Sequence, residues 1–209
     1  MKILNLYSGI GGNRKLWSDE HQVTAIEFDD QIAAVYADLY PNDEVIVTDA
    51  HQFLLENYKN YDFIWTSPPC QTHSSFRQNI GVRFRGVSPV YPDMKLYQEI
   101  IFLKHNYDGL WIVENVNPYY EPLIQPSFDL DRHKFWSNFD VNHRDFDRLK
   151  LRSAQIPDLE EFLGFDLSNY KIPNKRQILR NCVLPEVGEY ILNAALSPVK
   201  QMDIFDLAY

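Results

Sequence analysis

The sequence predicts an α/β fold in which a mostly parallel central sheet is flanked by helices. Short runs of apolar, β-branched and aromatic residues alternate with segments of helical periodicity along the first two thirds of the chain. Strands that are separated by helices pair in parallel, because the helix returns the chain to the same end of the sheet. Ligands of such sheets lie at the carboxyl ends of the strands.

The first third of the chain supplies four predicted strands and two predicted helices. The helix over 30–40 ends before Pro41, because proline cannot continue a helix. A shorter helix is predicted over 14–20, after a glycine-rich turn that follows the first strand. Alternating or β-branched runs predict the four strands over 2–8, 22–28, 44–48 and 62–66.

The remaining elements are more widely spaced. Residues 92–106 have helical periodicity and begin with a proline, which suits a first turn. Strands are predicted over 109–115 and 134–141, and a short helix over 157–165. The final helix, over 183–196, carries an apolar face that suits packing on the sheet. That face consists of Val183, Val187, Ile191 and Ala195.

A chain of 209 residues accommodates one domain with a small appendage. Residues 1–141 form the predicted catalytic core. Residues 142–180 interrupt the strand and helix rhythm, being charged and irregular. Residues 181–196 contain the helix that returns to the core, and 197–209 are predicted to be a flexible tail.

Composition and charge narrow the class of protein. Hydrophobic residues make up 45% of the chain, yet no apolar run approaches the ~18–20 residues that cross a bilayer, and no signal peptide is visible. Two cysteines without zinc-ligand spacing favour a reducing, cytoplasmic compartment and no structural metal. The net charge of -9 argues against nucleic acid, but residues 132–180 hold 10 Lys/Arg against 7 Asp/Glu, so a basic face remains open.

Side chains at the first three strand ends predict a site for an adenosine-containing cofactor. The turn "YSGIGG" after the first strand offers backbone groups to a nucleotide-like ligand. Glu27 ends the second strand, where such folds hydrogen-bond a ribose. Phe28 beside it is suited to stacking on adenine, and Asp49 after the third strand is suited to accepting from the adenine amino group. Each acid taken alone is equally consistent with a solvated loop residue.

The later strand ends carry short motifs. Strand four ends in "SPPCQ", which contains Pro69-Cys70-Gln71, and strand five ends in "ENV", Glu114-Asn115-Val116. In this order and at these strand ends, the two resemble the nucleophile motif and the acid motif of the cytosine-C5 DNA methyltransferase family. Tyr7–Gly12 is similar to its Phe-x-Gly-x-Gly-Gly loop. Arg132-His133-Lys134 stands where the family has Arg-x-Arg, and "RNCVLP" (180–185) resembles its last motif. The resemblance leaves out roughly 142–170 and the tail.

The resemblance implies a Rossmann-like, S-adenosylmethionine-dependent methyltransferase fold that acts on DNA. Cys70 would add to C6 of a flipped cytosine, helped by positive charge that lowers its pKa. Glu114, Arg132 and Lys134 would hold the base, although both cations are equally consistent with surface charges. The implied cofactor contacts are Tyr7, Gly9, Gly11, Gly12, Glu27, Phe28, Asp49, Pro68 and Asn181. The implied DNA contacts are Gln71, Ser74, Arg77, Arg83 and Arg85.

The sequence also departs from the family. Only about 45 residues separate Lys134 from Arg180, too few for the usual target-recognition domain. We therefore expect a short recognition element, broad specificity or recognition by a partner. Arg180 replaces a glycine near the cofactor, which raises the option of an acidic cofactor variant. Four cations of the reduced segment are equally consistent with phosphate contacts and with a solvated loop: Arg144, Arg148, Lys150 and Arg152.

The tail holds a further motif. "QMDIF", the run Gln201-Met202-Asp203-Ile204-Phe205, resembles the peptide that docks on bacterial sliding clamps. A clamp would supply residence on DNA and would place the protein in the cytoplasm of a bacterium or a phage-infected cell. The alternative is that the tail packs on its own domain. Two other readings of the whole chain stay open: the same chemistry on RNA or with a modified donor, and a non-catalytic DNA-binding or clamp-binding relative.

Overall fold

Seven strands form one sheet in the computed structural model, which describes residues 1–147, 149 and 153–197. The strands are β1 (Lys2–Leu6), β2 (Gln22–Glu27), β3 (Glu44–Val47), β4 (Phe63–Thr66), β5 (Leu110–Val116), β6 (Phe128–Leu130) and β7 (His133–Ser137). Their order is β3-β2-β1-β4-β5-β7-β6, parallel from β3 to β5, whereas β7 is antiparallel to both of its neighbours. The chain thus begins in the middle of the sheet and switches direction between β1 and β4, which confirms the predicted Rossmann-like fold.

Helices cover both faces of this sheet. They are α1 (Asp30–Leu39), α2 (Ala50–Asn57), α3 (Arg83–Arg85), α4 (Lys95–Asn106), α5 (Ile156–Leu163), α6 (Lys175–Asn181) and α7 (Pro185–Leu196). A π-helical segment, Arg77–Val82, leads into α3. Asp29 and Asp49 cap α1 and α2 with their carboxylates, as acids do where free backbone N–H groups begin a helix. None of the described helices is long and apolar enough to cross a membrane.

Two hydrophobic clusters lie on opposite faces of the sheet, because side chains alternate along each strand. One face joins Trp65 and Phe135 to the C-terminal helices, including Leu159 of α5 and Ile191 of α7. The other joins Ile64 and Trp136 to α2 and α4. The described part of 142–180 therefore contributes to the same core as the sheet, rather than forming a core of its own.

Several predicted elements are corrected. Residues 14–20 form turns instead of a helix, because Arg14 is buried and donates to both carboxylate oxygens of Asp43 and to the Trp17 carbonyl. Helix α4 begins at Lys95, so Pro92 lies before it. Strand β7 ends at Ser137, four residues earlier than predicted. The sequence pattern missed the three-residue elements β6 and α3 and the helices α2 and α6.

Some predictions fall on residues outside the described part of the chain. These are the proposed clamp peptide, 201–205, and three cations of the reduced segment, Arg148, Lys150 and Arg152.

Candidate active site

The carboxyl ends of the parallel strands meet around a cavity of about 450 Å³. This is the position that a doubly wound sheet gives its ligands. Its lining includes three of the four predicted catalytic residues, Cys70, Glu114 and Arg132. It also includes Gln71 and most of the predicted cofactor contacts: Tyr7, Gly9, Gly12, Glu27, Phe28, Asp49, Pro68 and Asn181.

The loop that carries Cys70 is held at both ends. Asn115 Nδ2 donates to the Pro68 carbonyl at 2.9 Å, which ties the loop to the end of β5. The Cys70 carbonyl accepts from the backbone N–H of His73 at 3.1 Å and of Ser74 at 3.0 Å, so the chain turns directly after the cysteine. His73 is buried and hydrogen-bonded to Tyr120 through Nδ1 at 2.6 Å. The thiol therefore stands on a fixed corner at the edge of the cavity.

The electrostatics of Cys70 differ from the sequence-based expectation. Burial, and then the charge of Glu114, raise the pKa of the thiol to about 11. Arg132 opposes this rise but is outweighed. The prediction that nearby positive charge lowers the pKa of Cys70 is thus wrong for the protein alone. Cys70 is a protonated thiol at neutral pH.

Glu114 lies at the end of β5 and is 6% exposed. Burial raises the pKa of its carboxyl to about 7, against a hydrogen bond from Ser67 and the positive charge of Arg132 that lower it. Ser67 is itself fixed, since its Oγ accepts from Trp65 Nε1 at 3.0 Å. A substantial share of Glu114 is therefore protonated at neutral pH, in reach of a ligand in the cavity.

The cations before β7 occupy different places. Arg132 lines the cavity, and its Nη2 donates to the Cys182 carbonyl at 2.7 Å, which links it to the junction of α6 and α7. Lys134 does not reach the cavity. Its Nζ pairs with Asp129 of β6 at 3.0 Å, because strand alternation turns Lys134 to the face opposite Glu114. The predicted contact of Lys134 with the base is corrected, and His133 lines the cavity instead.

The other end of the cavity is built around Glu27. Its Oε2 accepts from the Gly9 N–H at 2.9 Å, and its Oε1 accepts from the N–H groups of Phe28 and Asp29 at 2.9 and 3.0 Å. The Phe28 ring is 76% exposed. Ser8 Oγ is buried and has no hydrogen-bond partner within the described part of the chain. This end of the cavity is therefore lined by the hydrogen-bonded carboxylate of Glu27, the exposed ring of Phe28 and the unsatisfied hydroxyl of Ser8.

Two of the loop glycines have packing roles. A Cβ on Gly12 would come within 2.6 Å of the Val183 carbonyl, so the loop and the start of α7 approach as closely as backbones can. Gly11 has a φ of +77° and does not line the cavity. Its carbonyl accepts from the Tyr40 hydroxyl at 2.7 Å. The predicted direct cofactor contact of Gly11 is corrected to a role in shaping the turn.

Sequence reasoning missed a buried carboxylate beneath the glycine loop. Glu99 of α4 is fully buried and accepts from the hydroxyls of Tyr7 and Thr66, both at 2.6 Å. His51 Nδ1 lies 2.9 Å from the same carboxylate, whose hydrogen bond raises the pKa of the imidazole. The tyrosine that replaces the family phenylalanine was the available signal, since its hydroxyl requires a partner when buried.

The structure separates the predicted DNA contacts into residues that support the loop and residues that are exposed. Ser74 lies in the turn and pairs with Pro118, and Arg77 donates to the Ser88 carbonyl at 3.1 Å, so both support the loop. Arg83 and Arg85 are exposed on α3, on either side of the Phe84 ring, which is 79% exposed. This short element therefore offers two exposed cations and an aromatic ring beside the cavity loop.

The first 117 residues match the model of a family described as C-5 cytosine-specific DNA methylase. The match includes the glycine loop, the Cys70 loop and Glu114. The chain belongs to this family. The C-5 cytosine-specific DNA methylase region thus covers β1 to β5 and the part of the cavity lining that comes from these strand ends, and it ends before Arg132.

Solved structures with similar folds include several methyltransferases. A triple mutant of Spodoptera frugiperda DNMT2 is 24% identical, with a TM-score of 0.39 over 55% of this chain and 35% of that one. Entamoeba histolytica EhMeth is 18% identical, with a TM-score of 0.38 over 56% and 38%. A candidate DNA modification methyltransferase encoded within an E. coli prophage is 14% identical, with a TM-score of 0.43 over 83% and 56%.

This C-5 cytosine-specific DNA methylase family member covers less than two thirds of each of those three chains. The comparison with curated proteins gave no match.

Proposed function

We propose that the protein is an S-adenosylmethionine-dependent DNA cytosine-5 methyltransferase. The observation that carries the proposal is the placement of a thiol, Cys70, and a partly protonated carboxyl, Glu114, in one cavity whose far end is formed by Glu27 and Phe28. Cytosine methylation at C5 needs this pair, because the ring is activated by a nucleophile at C6 while an acid neutralises the charge that develops on the base.

The far end of the cavity fits S-adenosylmethionine. The volume of the whole cavity, about 450 Å³, falls in the usual range for small-molecule sites. Glu27 and Phe28 would hold the ribose and adenine, and the buried Ser8 hydroxyl would gain a partner. When bound, the cofactor supplies a methyl group activated by its sulfonium.

At the other end, the residues of the chain act on the base. The Cys70 thiol releases its proton to solvent and its sulfur forms a bond to C6, while the electron pair of the C5=C6 double bond moves through C4 toward N3. Protonated Glu114 donates its proton to N3, which makes C5 nucleophilic. Arg132 borders the same space and supplies positive charge. After C5 has been alkylated, the C5 proton leaves to solvent, the C6–S bond breaks with its electron pair on the Cys70 sulfur, and N3 returns its proton to Glu114, which restores the aromatic ring.

The cytosine must leave the duplex to reach this cavity. The exposed residues Arg83, Phe84 and Arg85 follow the Cys70 loop, and they are suited to phosphate contacts and to filling the space left in the stack. Target recognition beyond this element would come from the reduced segment 142–180 or from a partner.

The test is incubation of the protein with labelled S-adenosylmethionine and mixed-sequence duplex DNA, followed by digestion to nucleosides and mass spectrometry. We expect 5-methylcytosine from the wild type and from Cys182→Ala, and none from Cys70→Ala. The Cys182→Ala protein is the matched control, because it removes the second thiol of the chain. Product from Cys70→Ala, or none from wild type with DNA, would contradict the proposal. Parallel arms with RNA and with a carboxylated donor identify the two alternative substrates.

We also propose that the tail run Gln201-Met202-Asp203-Ile204-Phe205 docks on a bacterial sliding clamp, in the cytoplasm of a bacterium or a phage-infected cell. Its support is the sequence pattern, with Gln201 for one subsite and Ile204 and Phe205 for an apolar pocket. A labelled peptide of residues 197–209 should bind a purified clamp, and binding should disappear when Ile204 and Phe205 are both alanine. Equal binding by the two peptides would remove the proposal.

A further inference from the structure

His133 shares the face of the sheet on which Glu114 lies. In the β5–β7 pairing, Glu114 is opposite Phe135 and Val116 is opposite His133. Residues two apart on a strand point to the same side, so His133, Phe135 and Glu114 face the cavity side together. The rings of His133 and Phe135 pack edge to face at 6.2 Å. This packing fixes the plane of the imidazole at the wall of the cavity.

The two ring nitrogens of His133 have different surroundings. Nε2 lies 3.4 Å from Glu114 Oε1. Nδ1 is buried and has no partner among the residues whose positions are described. Burial, and then the charge of Arg132, lower the pKa of His133 well below its usual value, so the ring is neutral. A neutral imidazole carries one N–H, and the carboxyl of Glu114 is the acceptor that Nε2 faces.

Arg132, the charged neighbour of Glu114 and His133, makes its polar contacts with other residues. The Arg132 guanidinium donates to the Cys182 carbonyl at 2.7 Å and lies 3.7 Å from the Asp131 carboxylate. The thiol of Cys70, which feels the charge of Glu114, is kept protonated at neutral pH by burial. Within the described part of the chain, Glu114 therefore has the Ser67 hydroxyl as a hydrogen-bond donor and the neutral His133 imidazole at 3.4 Å, with no fully charged partner in direct contact.

We propose that His133 is a positioning residue for Glu114, orienting the carboxyl through Nε2 without adding a charge, so that Glu114 retains a proton to give to the pyrimidine. The role rests on the proposed function of Glu114 as the acid that meets the base. A cation at position 133 would pair with the carboxylate and keep it ionised, and an apolar residue would leave the carboxyl with the Ser67 hydrogen bond alone.

The experiment follows Glu114 directly, in full-length protein labelled with ¹³C at the glutamate carboxyl carbons. The Glu114 signal is assigned by its loss in Glu114→Gln, and its titration is recorded without DNA or cofactor. In His133→Arg we expect the midpoint to fall by more than about one pH unit, a tenfold loss of proton affinity. In His133→Gln, which keeps a neutral N–H donor, we expect a midpoint close to that of the wild type.

A second readout is the rate at which Cys70 forms a stable covalent adduct, in the presence of S-adenosylmethionine, with duplex DNA that contains 5-fluorocytosine, whose C5 carries fluorine in place of the proton that must be lost. His133→Leu should slow adduct formation at least about tenfold, and His133→Gln should restore most of the rate. The matched control is His105→Gln, which changes an exposed histidine at the end of α4. An unchanged Glu114 midpoint in His133→Arg, or a wild-type adduct rate in His133→Leu, would overturn the proposal.

The two readouts separate this role from the proposed function. If the titration midpoint of Glu114 changes as expected in the His133 variants but no cytosine is methylated, the positioning role stands and the proposed function fails. If cytosine is methylated while the midpoint ignores His133→Arg, the function stands and the positioning role is wrong.

Discussion

Asn115 Nδ2 donates to the Pro68 carbonyl at 2.9 Å, and its Oδ1 accepts from the Val116 N–H at 3.0 Å. One buried amide thus joins the strand that carries the acid to the loop that carries the thiol. The alternation of β5 explains the arrangement, since Glu114 faces the cavity while Asn115 points to the other side and reaches the loop from beneath. This hydrogen bond therefore helps to fix the Cys70 thiol relative to the Glu114 carboxyl.

Asn115→Ala should therefore impair catalysis more than it impairs folding. We expect a loss of about 1–3 kcal/mol in the free energy of unfolding, because the Pro68 carbonyl and the Val116 N–H lose their partner. The rate of 5-methylcytosine formation should fall by about a hundredfold, as the thiol leaves its fixed position. Urea unfolding and single-turnover methylation measure the two effects. Asn106→Ala, on the exposed end of α4, is the matched control and should change neither.

The resting state of Cys70 can be measured by alkylation. With its pKa raised to about 11, the thiol should react with iodoacetamide at pH 8 roughly a hundredfold more slowly than a free cysteine, and the rate should still rise above pH 9. Glu114→Gln removes the like charge and should increase the rate at pH 8. Peptide mass spectrometry separates Cys70 from Cys182. A rate that levels off below pH 8 would show a thiolate and contradict this account.

Glu114 should reduce stability at alkaline pH. Its pKa is raised to about 7 in the folded protein, so the folded state binds the proton more tightly than the unfolded chain does. The contribution of protonated Glu114 to the free energy of unfolding is complete below about pH 4.5. It is lost as the pH rises to about 7. Glu114→Gln should consequently be more stable than wild type at pH 8, by up to about 3 kcal/mol, with a smaller difference at pH 5. Urea titrations at the two pH values test this, and a difference independent of pH would refute it.

Arg83 and Arg85 should contribute to DNA affinity through phosphate. Replacing both with glutamine should weaken binding of every duplex sequence alike and lower the slope of log affinity against log salt by up to about 2. Fluorescence anisotropy at several salt concentrations measures that slope. Lys59→Gln is the matched control, because Lys59 is exposed near Tyr61 and Asp62, at the amino end of the strands. If the control lowers the slope as much as the double variant, α3 is not the contact element.

The sequence by itself determined the α/β class, most strand positions and the side chains at the ends of β1 to β5. These follow from local pattern: apolar runs predict strands, and the "SPPCQ" and "ENV" motifs occupy the points where parallel strands must end together. Only the tertiary structure decided which face each residue of β7 presents. It placed His133 at the cavity and Lys134 against Asp129, because register with β5 and β6 is a long-range property. It also set the protonation of Cys70 and Glu114, since a pKa depends on burial and on charges that come from distant parts of the chain.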